Sequence, residues 1–207
     1  MGDTWATHPF PPGGHLHFSP LRRVQEQTDS DGVQHRILVQ TEEMSCGPAA
    51  CAMLIDLWSG HSHADASAFE MRLKEIAGRF PGSMVEQDRI TRSQGPASGH
   101  EGSQVTNLER LLLNQRIRIR GIWHRWTERA GTNALALGYI RQHPCLLLWG
   151  WYDAGGNRNG GHFTVGARVT SHGRVVVLDP WDGSLGEVTA TGNYKGSGQL
   201  DAVVYTG

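Results

Sequence analysis

Only three cysteines, Cys46, Cys51 and Cys145, occur in the 207 residues. An odd count in a chain of this size excludes a disulfide framework. No run reaches the ~18–20 consecutive apolar residues of a membrane-spanning helix, so no membrane span is expected. Charge of one sign is missing too: 19 basic residues face 20 acidic ones. That balance removes the electrostatic reason for nucleic acid or an anionic membrane as partner. The start, Met1-Gly2-Asp3-Thr4-Trp5-Ala6, lacks the basic and apolar regions of a signal peptide. Ala6 stands where a myristoylation motif wants Ser or Thr. Cytoplasmic synthesis is expected, with signal-independent export left open. Histidines are plentiful, but His15-Leu16-His17 and His61-Ser62-His63 come without a Cys-x2-Cys or His-Glu-x2-His spacing. No Walker-type or Gly-x-Gly-x2-Gly loop appears either. No cofactor and no metal are expected, and the surface is the ordinary place for the histidines.

What is present suits one domain, at 38% hydrophobic residues, with 27 glycines that concentrate in loops. Residues 1–20 carry four of the nine prolines and read as a mobile arm, leaving 21–207 as the domain. Gly32 to Gln40 reads as a strand delivering Gln40. A helix from Cys46 to about Ser59-Gly60 follows, then an amphipathic helix over 64–80 with Phe69, Leu73 and Ile76 at helical spacing. Residues 81–104 carry no pattern and form a candidate lid or specificity loop. A third helix over 106–113 with a Thr or Asn cap, a strand at 117–122 and a fourth helix over 132–142 come next. Leu146 to Trp151 reads as an inner strand. The Ala154–Gly161 loop, two strands carrying His162 and Asp179, and terminal strands near 187–191 and 202–205 complete the chain. Helices first and sheet second predict an α+β fold.

Cys46 opens Cys46-Gly47-Pro48-Ala49-Ala50-Cys51-Ala52-Met53-Leu54-Ile55. A polar, Gly/Pro-containing start before an apolar stretch predicts a helix beginning at the cysteine, with Pro48 tolerated in its first turn. Unpaired N–H groups and the positive end of the helix dipole favour a thiolate there. The same N–H groups can receive a developing oxyanion, and the amide of Gln40, six residues upstream, can supply a second donor. Cys51 falls about 140° around that helix and, like Cys145, reads as a small core residue.

Gly160-Gly161-His162-Phe163-Thr164-Val165 and Val175-Val176-Val177-Leu178-Asp179-Pro180 read as antiparallel strands joined through Ser171-His172-Gly173-Arg174. His162 near the start of one and Asp179 at the end of the next meet at the same end of the pair. A base and its orienting carboxylate are thereby adjacent, as a cysteine triad requires. Gly161 is a candidate for close approach of a substrate backbone. Trp149 and Trp151 share a strand face by parity and are candidates for lining the cleft. Trp181, two residues past the acid, is the candidate shield for the His162–Asp179 bond.

Gln40-x5-Cys46-Gly47-Pro48, then Gly161-His162-Phe163, then Asp179-Pro180, resembles the papain-like cysteine peptidases. The likeness is to the branch holding the bacteriocin-leader (double-glycine) peptidases and related bacterial effector proteases, and it covers roughly residues 33–185. Asp rather than Asn as third member, and no Cys-Trp at the nucleophile, set the chain apart from the plant-type papain enzymes. The resemblance implies a papain-like fold, in which a helical lobe carries the nucleophile helix against an antiparallel sheet bearing His and Asp. It also implies a cysteine peptidase acting on a peptide or protein, a bacterial effector or toxin or a processing protease. Cys46 would be nucleophile, His162 base and acid, Asp179 its orienting group and Gln40 an oxyanion donor. The same triad serves a papain-fold acyltransferase, and a silent papain-fold binding module is the alternative outside catalysis. A monomer is expected.

Overall fold

The computed structural model describes residues 23–42, 45–80, 103–125, 133–156, 158–190 and 192–207. The expected arm at 1–20 and nearly all of the expected loop at 81–104 lie outside them. Among the described residues the fold is α+β, with four helices, a six-stranded antiparallel sheet and a two-stranded one.

Strands β1 (Val24–Thr28) and β2 (Gln34–Leu38) form the small sheet, in register from Val24 opposite Leu38 to Thr28 opposite Gln34. Asp29 closes their turn, its carboxylate accepting the Asp31 and Val33 N–H groups. The same buried carboxylate meets His35 at 2.9 Å and the Arg168 guanidinium, fastening the hairpin to the large sheet.

Helix α1 (Cys46–Ser59) begins at the cysteine and stops at Gly60, whose φ of 65° is the left-handed conformation that ends helices at low cost for glycine. Every residue from Cys46 to Ile55 is buried, as expected of a helix that is apolar all round. It packs against α2 (Ala66–Ala77), α3 (Val105–Asn114), β2 and the large sheet. Gly47 makes the α1–α3 approach feasible: a Cβ there would lie 2.9 Å from Leu108 Cδ1 and 3.1 Å from Ser103. The Thr or Asn cap expected for α3 is replaced by Gln104. Asn107 lies within the helix, buried, and donates to the Ala77 carbonyl instead.

The large sheet contains β3 (Ile119–His124), β4 (Cys145–Tyr152), β5 (Arg158–Val169), β6 (Val175–Leu178), β7 (Leu185–Val188) and β8 (Gly198–Thr206). Helix α4 (Asn133–Ile140) precedes β4. Strand order is β3-β8-β4-β5-β6-β7, so the last strand inserts between β3 and β4. Side chains alternate along each strand. Leu146, Leu148, Phe163, Val165, Val176 and Leu178 join the α1 core, while Leu147, Trp149, Val175, Val177 and Val203 build a second core with Ile140 and Tyr194. β4 is therefore buried on both faces, which its apolar run requires. β6 pairs with β5 only from Val165 onward, leaving the stretch around His162 without a β6 neighbour.

Candidate active site

The β5–β6 hairpin places His162 and Asp179 together. Val165 opposes Leu178, so Asp179 emerges just beyond the last rung, near His162. His162 Nε2 lies 2.6 Å from Asp179 Oδ1. The Cys46 thiol lies close enough to the ring to raise its proton affinity. With Nε2 taken by Asp179, Nδ1 is the nitrogen left to serve the thiol. Cys46, His162 and Asp179 are all buried.

Asp179 is held from four directions. Oδ1 accepts from His162 and from the Trp181 backbone N–H at 2.8 Å. Oδ2 accepts from the Tyr194 hydroxyl at 2.6 Å and faces Lys195 Nζ at 2.7 Å. The Asp179 N–H and carbonyl close a turn through Ser184 and Gly183, and Ser184 N–H donates to Asp182 Oδ1. Asp182 shares the turn through Ser184, while the Asp179 carboxylate serves both the Trp181 N–H and His162.

Burial alone would push the Asp179 carboxyl up. The facing His162 and Lys195 charges and hydrogen bonds outweigh it and hold the group well below the ordinary carboxylate range. His162 is the mirror case: burial disfavours its charged form, but Asp179, with Cys46 adding, raises its proton affinity well above an ordinary imidazole. For Tyr194, burial and then the Asp179 charge raise the phenol, so its hydroxyl stays a donor.

Around Cys46 the helix start is open. Ser45 occupies the cap position without a side-chain cap bond, and Pro48 has no N–H. The first intrahelical bond in that turn is Ala49 N–H to the Ser45 carbonyl, so the Cys46 and Gly47 N–H groups have no partner within the helix. Gln40, buried, follows β2. Its backbone N–H donates to the Pro180 carbonyl at 2.7 Å, tying it to the residue after Asp179. Its side-chain amide donates to the Glu42 carbonyl at 2.7 Å.

Glu70 of α2 organises the connection between Gln40 and Cys46. Its buried carboxylate accepts from Thr41 N–H at 3.0 Å, Thr41 Oγ1 at 2.9 Å and Ser45 Oγ at 2.5 Å. Burial raises the proton affinity of this carboxyl despite those donors. Its signal was a charged residue on the buried stripe 66, 70, 73 and 77 of an amphipathic helix. Tyr194 and Lys195 gave no such signal.

Two of the tryptophans expected near the site differ in placement. Trp151 is half-buried with its ring 6.0 Å from His162. Trp149 is 2% exposed, stacked on Tyr194 at 5.0 Å with its N–H on Thr164 Oγ1. It packs in the second core, where it lines a pocket with Leu137, Ile140, Leu147, Val175 and Leu200. Gly161 is likewise buried within β5, opposite Gly150 of β4, rather than in the loop expected at 154–161. Trp181 presents its ring edge-on to His162 at 6.4 Å and is 8% exposed, the location expected of a shield.

The remaining thiols sit apart in character. Burial pushes Cys51 and Cys145 far up, Cys51 further through the nearby Cys46 charge. His63 pairs with Asp56 and stacks on Phe69. Among the described residues no three His, Cys, Asp or Glu side chains gather as a metal site. No helix among them is long and apolar enough to cross a membrane. No protein-family model matches the chain, and comparison with curated proteins gives no match.

Proposed function

We propose that the protein is a cysteine peptidase of the papain-like kind, acting on a peptide or protein. One observation carries the reading: a cysteine at the uncapped start of a buried helix adjoins a histidine whose Nε2 binds a buried, four-fold-held carboxylate. A core cysteine needs none of that apparatus. Cys46 attacks the scissile carbonyl as thiolate, and its proton is held by His162. The oxyanion takes the N–H groups at the start of α1 and the Gln40 side-chain amide. His162 then protonates the leaving amine, and water, activated by His162, hydrolyses the thioester. Asp179 keeps the ring in the tautomer and orientation that presents Nδ1 to sulfur. The order Gln40, Cys46, His162, Asp179 supports a place near the double-glycine leader peptidases and bacterial effector proteases, with a cytoplasmic site of synthesis.

Two experiments test the proposal together. A proteome-derived peptide library, digested by wild type and by Cys46→Ala, should show cleavage that only wild type produces. A limiting peptidyl vinyl sulfone should label Cys46. Library digests identical for the two proteins, with no labelling of Cys46, refute the proposal.

A further inference from the structure

Asp179 faces two basic groups, yet the mechanism uses one. Lys195 Nζ lies 2.7 Å from Oδ2 while His162 takes Oδ1. The lysine also meets Asp182 Oδ2 at 2.9 Å and lies over the Tyr194 ring at 5.6 Å. Its backbone sits at φ 43°, a left-handed conformation that costs a non-glycine residue of order 1 kcal/mol. The loop is closed on both sides by the Tyr194–Gly198 backbone pair. Tyr194 in turn is fixed by its stack on Trp149, which is bonded to Thr164, two residues from His162 on β5. A strained loop, anchored to the histidine's own strand, thus delivers an ammonium to the far oxygen of the orienting acid.

We propose that Lys195 is a positioning residue of the site: it holds the outer oxygen of Asp179 and takes a share of its charge, limiting how firmly His162 retains a proton. This rests on the peptidase reading of Cys46, His162 and Asp179. A histidine that must first keep a proton and then give it to a leaving amine needs such a limit, since too strong an acid partner makes it a poor donor. The charged groups facing His162 are Asp179 from the end of β6 and Cys46 from α1; Lys195 and Asp182 act through Asp179. Removing Lys195 leaves three donors on Asp179, so the carboxylate keeps its aim while its full charge bears on the ring.

The test is a ring-nitrogen NMR titration of the full chain, with His162 assigned by the resonances lost in His162→Asn. It compares wild type, Lys195→Met, Lys195→Gln and Lys195→Arg. The two neutral variants should raise the His162 midpoint by roughly 0.5–1 pH unit, less than the 1–3 of a directly adjacent charge. Lys195→Arg should restore it. The alkaline limb of peptide turnover should move the same way. An unchanged midpoint in a folded neutral variant, or a lowered one, overturns the proposal; the lowered one makes Lys195 a purely structural prop. The lysine side chain is 37% solvent-exposed, and the Gln variant decides should the Met variant not fold. The titration reads His162 whether or not any peptide is cut. Absence of cleavage thus strikes the peptidase reading, and an unmoved midpoint strikes this one.

Discussion

Replacing Asp179 by alanine takes the acceptor from His162 Nε2, the Trp181 N–H, the Tyr194 hydroxyl and Lys195 Nζ at one stroke. Breaking a buried charged pair from one side costs about 3–5 kcal/mol, because the remaining groups stay desolvated. In a domain of this size each kcal/mol moves the melting midpoint by about 2–4 °C, so Asp179→Ala should melt roughly 6–20 °C below wild type. The deficit depends on pH. Asp179, held below its ordinary value of 3.8, contributes stability that is present above that value and lost as pH falls through its folded value. His162, held above its ordinary value of 6.5, contributes stability that is full below 6.5 and lost as pH rises through its folded value. The gap between variant and wild type should be widest between those two ordinary values and narrow as pH climbs above 6.5. Calorimetry across that range measures it. Peptide turnover should fall as well, but by less than the ~10⁴ of a serine triad, since a thiol ionises with less help than a hydroxyl. A variant that melts within about 2 °C of wild type at pH 6 would mean that the four-donor arrangement carries little energy. The orienting role assigned to the acid would then fail with it.

The other predictions concern the nucleophile and its loop. A limiting thiol probe at neutral pH should modify Cys46 and spare Cys51 and Cys145, whose burial holds them protonated; equal labelling, read by peptide mass mapping, refutes the assignment. Gln40→Ala should lower kcat by about 10²–10³, the usual loss of one oxyanion donor, while leaving the His162 titration in place. Glu70→Leu leaves the Thr41 N–H and hydroxyl without this acceptor and Ser45 Oγ with only the Glu42 carbonyl, at about 1–3 kcal/mol for each donor left unsatisfied. It should therefore lower both melting midpoint and turnover, and Glu70→Gln should recover part of each. Activity should survive exhaustive chelation under reducing conditions; recovery only on adding metal back would contradict the reading.

The parts of the fold with strong local marks were legible. α1 has a Gly/Pro start and a Gly60 stop around an apolar run, and both ends fall where those residues stand. β5 and β6 are β-branched runs separated by a turn around Gly173, whose φ is 74°. What was not legible had no local mark. β1, Val24-Gln25-Glu26-Gln27-Thr28, holds a single apolar residue and is a strand because β2 pairs with it. The insertion of β8 between β3 and β4 joins segments far apart in the chain, and periodicity is silent on which neighbours a strand takes. Trp149 and Trp151 share parity, but parity does not say that one end of that face is closed by Tyr194 and the other opens toward His162.

The site divides along the same line. Cys46 and His162 lie in segments whose glycines, proline and helix start announce them, and Asp179 follows from the strand that precedes it. The groups that hold them are remote: Glu70 from α2, Tyr194 and Lys195 from a glycine-flanked stretch near the end of the chain. Glu70 alone had a visible anomaly, a carboxylate on a buried helical stripe, and such a residue has to find donors or lose its charge. Here it finds them on Thr41 and Ser45, the residues that adjoin Gln40 and Cys46. α2 therefore sets the spacing between the two proposed oxyanion donors. β6 and the 194–198 loop set the spacing between acid and base, and the two settings meet where the Gln40 N–H binds the Pro180 carbonyl. A substitution that displaces Pro180, such as one that opens the Asp179–Ser184 turn, should disturb oxyanion binding and His162 orientation together. Single changes at Gln40 or Lys195 should separate them.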